Sequence, residues 1–256
     1  MGRSLANKVT LVVGAGSPGG IGRACAERLA QEGATVVLTG TRLSSVEANA
    51  AEIVQSGGQA LGLEADLADE ASVARVFETV AARYGRLDFM HLNAADTQIR
   101  NLDTDALTVP LEVFDRSIEV NLKGQLLCIR HALPLMLKSG GGGIVATTSE
   151  SHRWGLPHFV AYNVSKAGLD ALLRHVANRW GKQNIRANAI GPGMVLSETL
   201  MGVHDEKSQA DYAQRTPSPR LGTPNDIAAM VAFLASDDAA WINGQIYSVN
   251  GGLRMG

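Results

Sequence analysis

The stretch Val9-Thr-Leu-Val-Val13-Gly14-Ala-Gly16-Ser17-Pro18-Gly19-Gly20-Ile21-Gly22 decides how the rest of the chain is read. Val9–Val13 is a short aliphatic and β-branched run, the composition of a strand buried on both faces. A glycine-rich turn follows it. Beyond the turn, Ile21, Ala24, Cys25 and Leu29 recur at helical spacing, and Gly33 stands where a helix stop is expected. Strand, glycine turn and helix in this order can hold a pyrophosphate, because glycines let the backbone approach and the helix start offers unpaired N–H groups. A plain glycine-rich turn is the alternative reading of the same residues.

Outward from this unit, short β-branched runs alternate with stretches of helical period. Strands are expected at Val9–Val13, Thr35–Thr39, Ala60–Glu64, Phe89–Asn93, Gly143–Thr147, Ile185–Ile190 and Gln245–Val249. Helices are expected at Gly20–Gln31, Leu43–Ser56, Asp69–Tyr84, Phe114–Lys138, Phe159–Trp180 and Asn225–Ala235. The alternation predicts an α/β fold over residues 1–256: one Rossmann-like domain, a doubly wound parallel seven-stranded sheet with helices on both faces. Ligands of such sheets bind beyond the carboxyl ends of the strands, where two long segments, Ala94–Val113 and Gly191–Arg220, break the pattern. Residues 194–219 of the second are long enough to form a substrate lid.

Composition narrows the function classes. With 23 Lys and Arg against 25 Asp and Glu, the net charge is -2, and no block of like charges suits a nucleic acid or an acidic membrane. Cys25 and Cys128 lie far apart, as befits core thiols in a reducing compartment. No apolar run approaches the ~18 residues of a membrane span, and no secretory signal is read, so a cytoplasmic location is expected. The six His form no paired metal-ligand motif.

On the expected helix Phe159–Trp180, Tyr162 and Lys166 lie one turn apart on one face. A tyrosine with pKa ~10 exchanges protons poorly at neutral pH, and a neighbouring ammonium lowers that value. Alone, such a pair reads as a surface contact. Together with the glycine loop, Tyr162-Asn-Val-Ser165-Lys166 resembles the Tyr-x-x-x-Lys motif of the short-chain dehydrogenase/reductase family. Ser149 stands at the family's usual separation before Tyr162, and Asn121 in Val120-Asn-Leu-Lys-Gly124 matches the family's proton-relay asparagine. The resemblance implies that Ser149 binds the substrate oxygen, with Thr148 and Ser151 as neighbouring hydroxyls, while Lys166 tunes Tyr162 and orders the ribose. By itself Asn121 reads as a buried helix polar group.

The chain departs from the family pattern in the glycine loop. Val13 stands where Thr is usual. With Gly14 as the first glycine, two extra residues, Ser17-Pro18 or Pro18-Gly19, precede Gly20-Ile21-Gly22; anchoring on Gly16 restores the spacing but puts Ala15 at the Thr position. At the end of the second strand, Gly40, Thr41 and Arg42 include no carboxylate for a ribose 2′-hydroxyl, whereas Arg42 and Thr41 suit a 2′-phosphate, so NADP(H) is favoured over NAD(H). A solvated charge at a helix start is the other reading of Arg42.

Asp66-Leu67 resembles the family's adenine contact; a helix cap is the rival reading of Asp66 or Asp69. Asn93-Ala94-Ala95 resembles Asn-Ala-Gly, and Pro192-Gly193 the Pro-Gly beside the nicotinamide. Val195 and Ser197, or Thr199 in place of Ser197, complete the implied cofactor contacts.

The resemblance implies interconversion of a secondary alcohol and a ketone. A 3-oxoacyl-type reductase of the same family is an alternative, and a dinucleotide-binding sensor or scaffold without turnover another. A small-molecule alcohol or ketone is the expected partner. Glu150, His152, Arg153, Trp154 and His158, with Met194, Leu196, Leu200, Met201 and His204 of the lid, suggest a largely apolar pocket with some polar anchoring. Taken singly, Trp154 and the methionines read as loop packing, and His152 and His158 as solvated. The family also implies a homotetramer, formed through Phe114–Lys138, Phe159–Trp180 and the C-terminal edge.

Overall fold

A computed structural model describes residues 5–197 and 205–255. Seven parallel strands form one sheet in the order β3-β2-β1-β4-β5-β6-β7. They are β1 (Val9–Val13), β2 (Thr35–Gly40), β3 (Gln59–Glu64), β4 (Phe89–Leu92), β5 (Gly142–Thr147), β6 (Ile185–Pro192) and β7 (Ile246–Val249). The helices are α1 (Ile21–Gln31), α2 (Leu43–Gln55), α3 (Glu70–Tyr84), α4 (Leu111–Ile118), α5 (Gly124–Lys138), α6 (Val160–Trp180), α7 (Glu206–Arg215) and α8 (Pro224–Ala235).

Every residue of β1 is buried, and its side chains alternate between two cores. Val9, Leu11 and Val13 pack with Val73 of α3, Leu127 of α5 and Leu173 of α6. Val12 faces the other way, with Cys25 and Leu29 of α1 and Val231 of α8. Each fully buried aliphatic side chain of this kind contributes about 1.5–3 kcal/mol, which holds helices on both faces of the sheet. The strand order reverses between β1 and β4, where Val13 pairs with Leu92, and the crevice above this switch point is the binding place of such sheets.

Two expectations need correction. Phe114–Lys138 is not one helix: α4 starts earlier, at Leu111, and a π-turn, Glu119–Lys123, separates it from α5. A single wide turn leaves the apolar period almost unchanged, so periodicity conceals it. Within the long segment after β6, Glu206–Arg215 is a helix rather than irregular chain; it has no buried residue, hence no apolar stripe to read. The lid residues Thr199, Leu200, Met201 and His204 lie outside the described residues. Both cysteines are buried free thiols, and burial pushes the Cys128 thiol up to about 12.

Candidate active site

The glycine loop is built by close packing. Gly14 has φ +89°, a left-handed conformation natural to glycine, and a Cβ there would lie 2.5 Å from the Ala94 backbone. A Cβ on Gly22 would meet the Gly14 carbonyl oxygen at 2.1 Å, so α1 approaches the end of β1 as only glycine allows. Asn93 Nδ2 donates to that same carbonyl at 2.8 Å and ties the two sides of the switch point together. The extra length of the loop is spent outward: Ser17, Pro18 and Gly19 are exposed, in a turn closed by the Gly20 N–H donating to the Ser17 carbonyl. Gly20 caps α1 without a side-chain bond, and the first turn of α1, including Ile21, holds no acidic residue. Unspent N–H groups and a positive dipole end therefore face the crevice, the donor set a pyrophosphate needs. The residues fit a dinucleotide.

Around this cradle, Thr41 and Arg42 are exposed at the end of β2, and among the described residues Arg42 has no ion-pair partner. The two aspartates after β3 divide their roles. Asp69 caps α3 by accepting from the Ala71 N–H, while Asp66 holds its own turn through the Ala68 N–H and stays exposed beside buried Leu67. On the far side, a Cβ on Gly193 would lie 2.8 Å from Asn250 Cα, so the chain after Pro192 passes close against the residues that follow β7. Val195 bridges to Gly222, and Ser197 is buried two residues on.

Ser149, Tyr162 and Lys166 come together at the mouth of the crevice. Ser149 follows β5; Tyr162 and Lys166 lie on the first turns of α6. The Ser149 hydroxyl neighbours Tyr162; it meets Ser151 Oγ at 2.9 Å and accepts from the Ser151 N–H at 3.1 Å. Ser151 donates in turn to Asn163 Oδ1 at 2.6 Å, which fixes the serine loop against α6. Lys166 is fully enclosed, with Nζ donating to the Thr147 carbonyl at 2.8 Å and lying 5.6 Å from the Tyr162 ring centroid. Burial holds Tyr162 above the ordinary tyrosine range, opposed by the Arg100 guanidinium and the neighbouring Ser149 hydroxyl. The expected pull of Lys166 on the tyrosine is not among these influences; the ammonium is itself lowered to about 8 by desolvation, against the attraction of Asp170. Asn121 sits in the π-turn, accepting from the Asp96 N–H at 2.8 Å and donating to Ser117 Oγ at 3.1 Å.

With this geometry in place, the comparisons are decisive. The family model described as enoyl-(acyl carrier protein) reductase matches residues 14–254. A protein assigned as a short-chain type dehydrogenase/reductase in Bradyrhizobium diazoefficiens is 40% identical over 99% of this chain and 89% of its own length. The chain belongs to the short-chain dehydrogenase/reductase family. Among solved structures of the family, a 7α-hydroxysteroid dehydrogenase complexed with NADH and 7-oxo glycochenodeoxycholic acid superposes with a TM-score of 0.92, at 32% identity, covering 98% of this chain and 96% of the other. An enzyme assigned as an NAD(P) dependent gluconate 5-dehydrogenase from Beutenbergia cavernae, with bound NADP, gives 0.90 at 34% identity, covering 99% of each. The present short-chain dehydrogenase/reductase is an NAD(P)-dependent oxidoreductase of the alcohol and ketone type. Among the described residues, no helix is long and apolar enough to cross a membrane.

The structure of this short-chain dehydrogenase/reductase also brings in residues that sequence reasoning passed over. Asp103 is buried and accepts from the Ala161 and Tyr162 N–H groups at 2.9 and 2.8 Å, capping the helix that carries the tyrosine. In the polar run Asn101-Leu-Asp103-Thr-Asp105 nothing sets it apart from a solvated charge. His91 is enclosed in β4, with Nε2 2.8 Å from Thr147 Oγ1. A histidine in the run Phe89-Met-His91-Leu92 was a readable sign of a buried polar contact.

His152 is not solvated, as its loop position suggested. Its Nε2 lies 2.9 Å from buried Asp170 Oδ2. Glu150 is likewise buried, accepting from Ser248 at 2.7 Å with Arg254 at 3.5 Å, and a Cβ on Gly191 would strike its carboxylate at 2.4 Å. His158 is exposed, against the Phe159 ring at 4.3 Å. A cavity of about 420 Å³ opens beside Asp105, His152, His158 and Asn163. None of Ser149, Tyr162 and Lys166 lines it, so it is not the reaction site.

Proposed function

We propose that this chain interconverts a secondary alcohol and a ketone with Tyr162 as proton donor and acceptor, Ser149 as binder of the substrate oxygen, and NADP(H) preferred over NAD(H). The observation that carries the reading is the convergence of Ser149, Tyr162 and Lys166 at the mouth of a dinucleotide crevice, the enclosed Lys166 ammonium donating to the Thr147 carbonyl at 2.8 Å and lying 5.6 Å from the Tyr162 ring centroid. The coenzyme, when bound, supplies or accepts the hydride at the substrate carbon. Ser149 and Tyr162 present two hydroxyls to one oxygen; Tyr162 gives it a proton in reduction and takes one in oxidation. Lys166 holds the ribose, and Asn121, freed from regular helix geometry by the π-turn, anchors the water that renews the proton.

Gly14, Gly16, Ser17, Gly20, Ile21 and Gly22 cradle the pyrophosphate; Asp66, Leu67, Asn93 and Ala94 border the adenosine half. Pro192, Gly193, Val195 and Ser197 border the nicotinamide. Thr41 and Arg42 read the 2′-phosphate, a role supported by the exposed Arg42, which has no ion-pair partner among the described residues. Residues 194–219 act as a substrate lid: Arg215 at the end of α7 lies over the Trp154 ring at 5.9 Å, reaching the segment that follows Ser149. One domain over residues 1–256, a cytoplasmic location and a homotetramer complete the proposal; the fully exposed Trp241 and the half-exposed Phe233 of α8 support association at the C-terminal edge. Sedimentation that finds only monomer refutes the tetramer.

Calorimetric titration with NADPH and NADH, followed by a ketone screen with the tighter coenzyme, tests the function. Tyr162→Phe is expected to bind coenzyme normally and lose turnover by about 10²–10⁴-fold; near-normal turnover refutes the mechanism.

A further inference from the structure

Two cations lie within about 6 Å of the Tyr162 ring centroid. Lys166 commits its ammonium to the Thr147 carbonyl. Arg100, 5.7 Å from the Tyr162 centroid, has no such commitment among the described residues. Among the described residues no carboxylate lies within ion-pair reach of it, and its buried Nε has no hydrogen-bond partner. Other half-buried arginines are provided for: Arg23 by Glu27 and Glu52, Arg153 and Arg254 by Glu150, Arg186 by the Leu234 carbonyl. A guanidinium taken partly out of water without an acceptor is unfavourable unless its partner comes from outside the chain.

The position of this charge is fixed by strained backbone. The guanidinium stacks over Phe159 at 4.4 Å from the ring centroid. Phe159 has φ 65°, a left-handed conformation disfavoured for a bulky residue, and its N–H donates to the Asp103 carbonyl at 3.0 Å. Asp103 in turn closes the 3₁₀ turn Arg100–Leu102 and caps α6 beneath Tyr162. One turn of chain thus sets the distance between Arg100 and the tyrosine. The nearby acids are already occupied: Asp103 by the Ala161 and Tyr162 N–H groups, and Asp96 by Arg116.

We infer that Arg100 binds a carboxylate on the substrate, so that the chain acts on oxo acids and hydroxy acids whose carboxylate lies a few carbon atoms from the reacting carbonyl. The inference rests on the reading of Tyr162 and Ser149 as the pair that holds the carbonyl oxygen. A planar guanidinium stacked on a ring keeps its edge free for a two-pronged contact with a carboxylate. Because the enclosed Lys166 ammonium already donates to the Thr147 carbonyl, Arg100 is the cation left to meet a substrate carboxylate.

The test is calorimetric titration of the full chain with cyclohexanecarboxylate and with cyclohexanecarboxamide, its neutral counterpart of the same shape. The unmodified protein is expected to prefer the carboxylate by about tenfold or more, the usual worth of a charge-assisted contact. Arg100→Gln is expected to abolish the preference. Arg100→Met keeps the packing over Phe159 without the charge and gives the same answer if the glutamine variant does not fold. Absence of a preference in the unmodified protein, or its survival in a folded variant, overturns the inference. Tyr162→Phe is expected to lose turnover and keep the carboxylate preference. If it keeps turnover, the catalytic reading fails while the Arg100 result stands on its own.

Discussion

The His91 imidazole and the Lys166 ammonium grip the same residue: Nε2 of His91 lies 2.8 Å from the Thr147 hydroxyl, and Nζ of Lys166 lies 2.8 Å from the Thr147 carbonyl oxygen. All three are buried, so the end of β5, just before Ser149, is fastened from both sides. Burial and the Lys166 charge hold His91 neutral, with its pKa brought down to about 3.

This arrangement predicts acid lability. Between about 3 and 6.5 the unfolded chain binds a proton at His91 that the folded chain does not, so stability falls as pH falls through that window. The full loss is on the order of 5 kcal/mol. Lys166 acts at the other end: between about 8 and 10.5 only the unfolded chain holds its proton, so stability rises with pH there. Urea unfolding between pH 4 and 7 should show the acid slope, and His91→Gln should flatten it; an unchanged slope would contradict the assignment.

Asp103→Ala should remove the acceptor of two N–H groups at the start of α6. Loss of such a cap costs about 0.5–2 kcal/mol, read as a lower urea midpoint at constant slope. Because one of those N–H groups belongs to Tyr162, kcat should fall while coenzyme affinity holds.

Arg42→Ala should weaken NADPH selectively. The charge-assisted contact to a 2′-phosphate is worth about 1.5–3 kcal/mol, a loss of about 10- to 100-fold in Kd, with NADH affinity unaltered. Equal weakening of both coenzymes would remove Arg42 from the phosphate site.

Gly22→Ala places a methyl 2.1 Å from the Gly14 carbonyl oxygen. Helix α1 and the loop must then part, destabilising the fold by about 1–3 kcal/mol and removing coenzyme binding. Thermal denaturation with and without NADPH reads both effects; an unchanged Tm shift by NADPH would show that the loop geometry is not required.

The strand and helix pattern, the glycine turn after Val13 and the Tyr162–Lys166 spacing were legible in the sequence because each rests on local periodicity or on the short reach between neighbours along one helix. The same local logic exposed the candidate serine and asparagine through family resemblance, but it could not show the π-turn that reorients Asn121, since one widened turn barely disturbs the apolar period. Nor could it choose between Asp66 and Asp69, or see that the stretch Ser17–Gly19, which contains the two added residues, is exposed to solvent. Asp103, Arg100, the partner of His91 and the His152–Asp170 pair were beyond it for a common reason. Each acts through partners far along the chain: Asp103 on α6, Arg100 across to Phe159 and Tyr162, His91 to Thr147 on the next strand. Composition and spacing specify which groups can exist on one face of an element. Only the packing of β4, β5 and α6 against one another decides which charges are buried, which are paired, and which, like Arg100, keep a free edge.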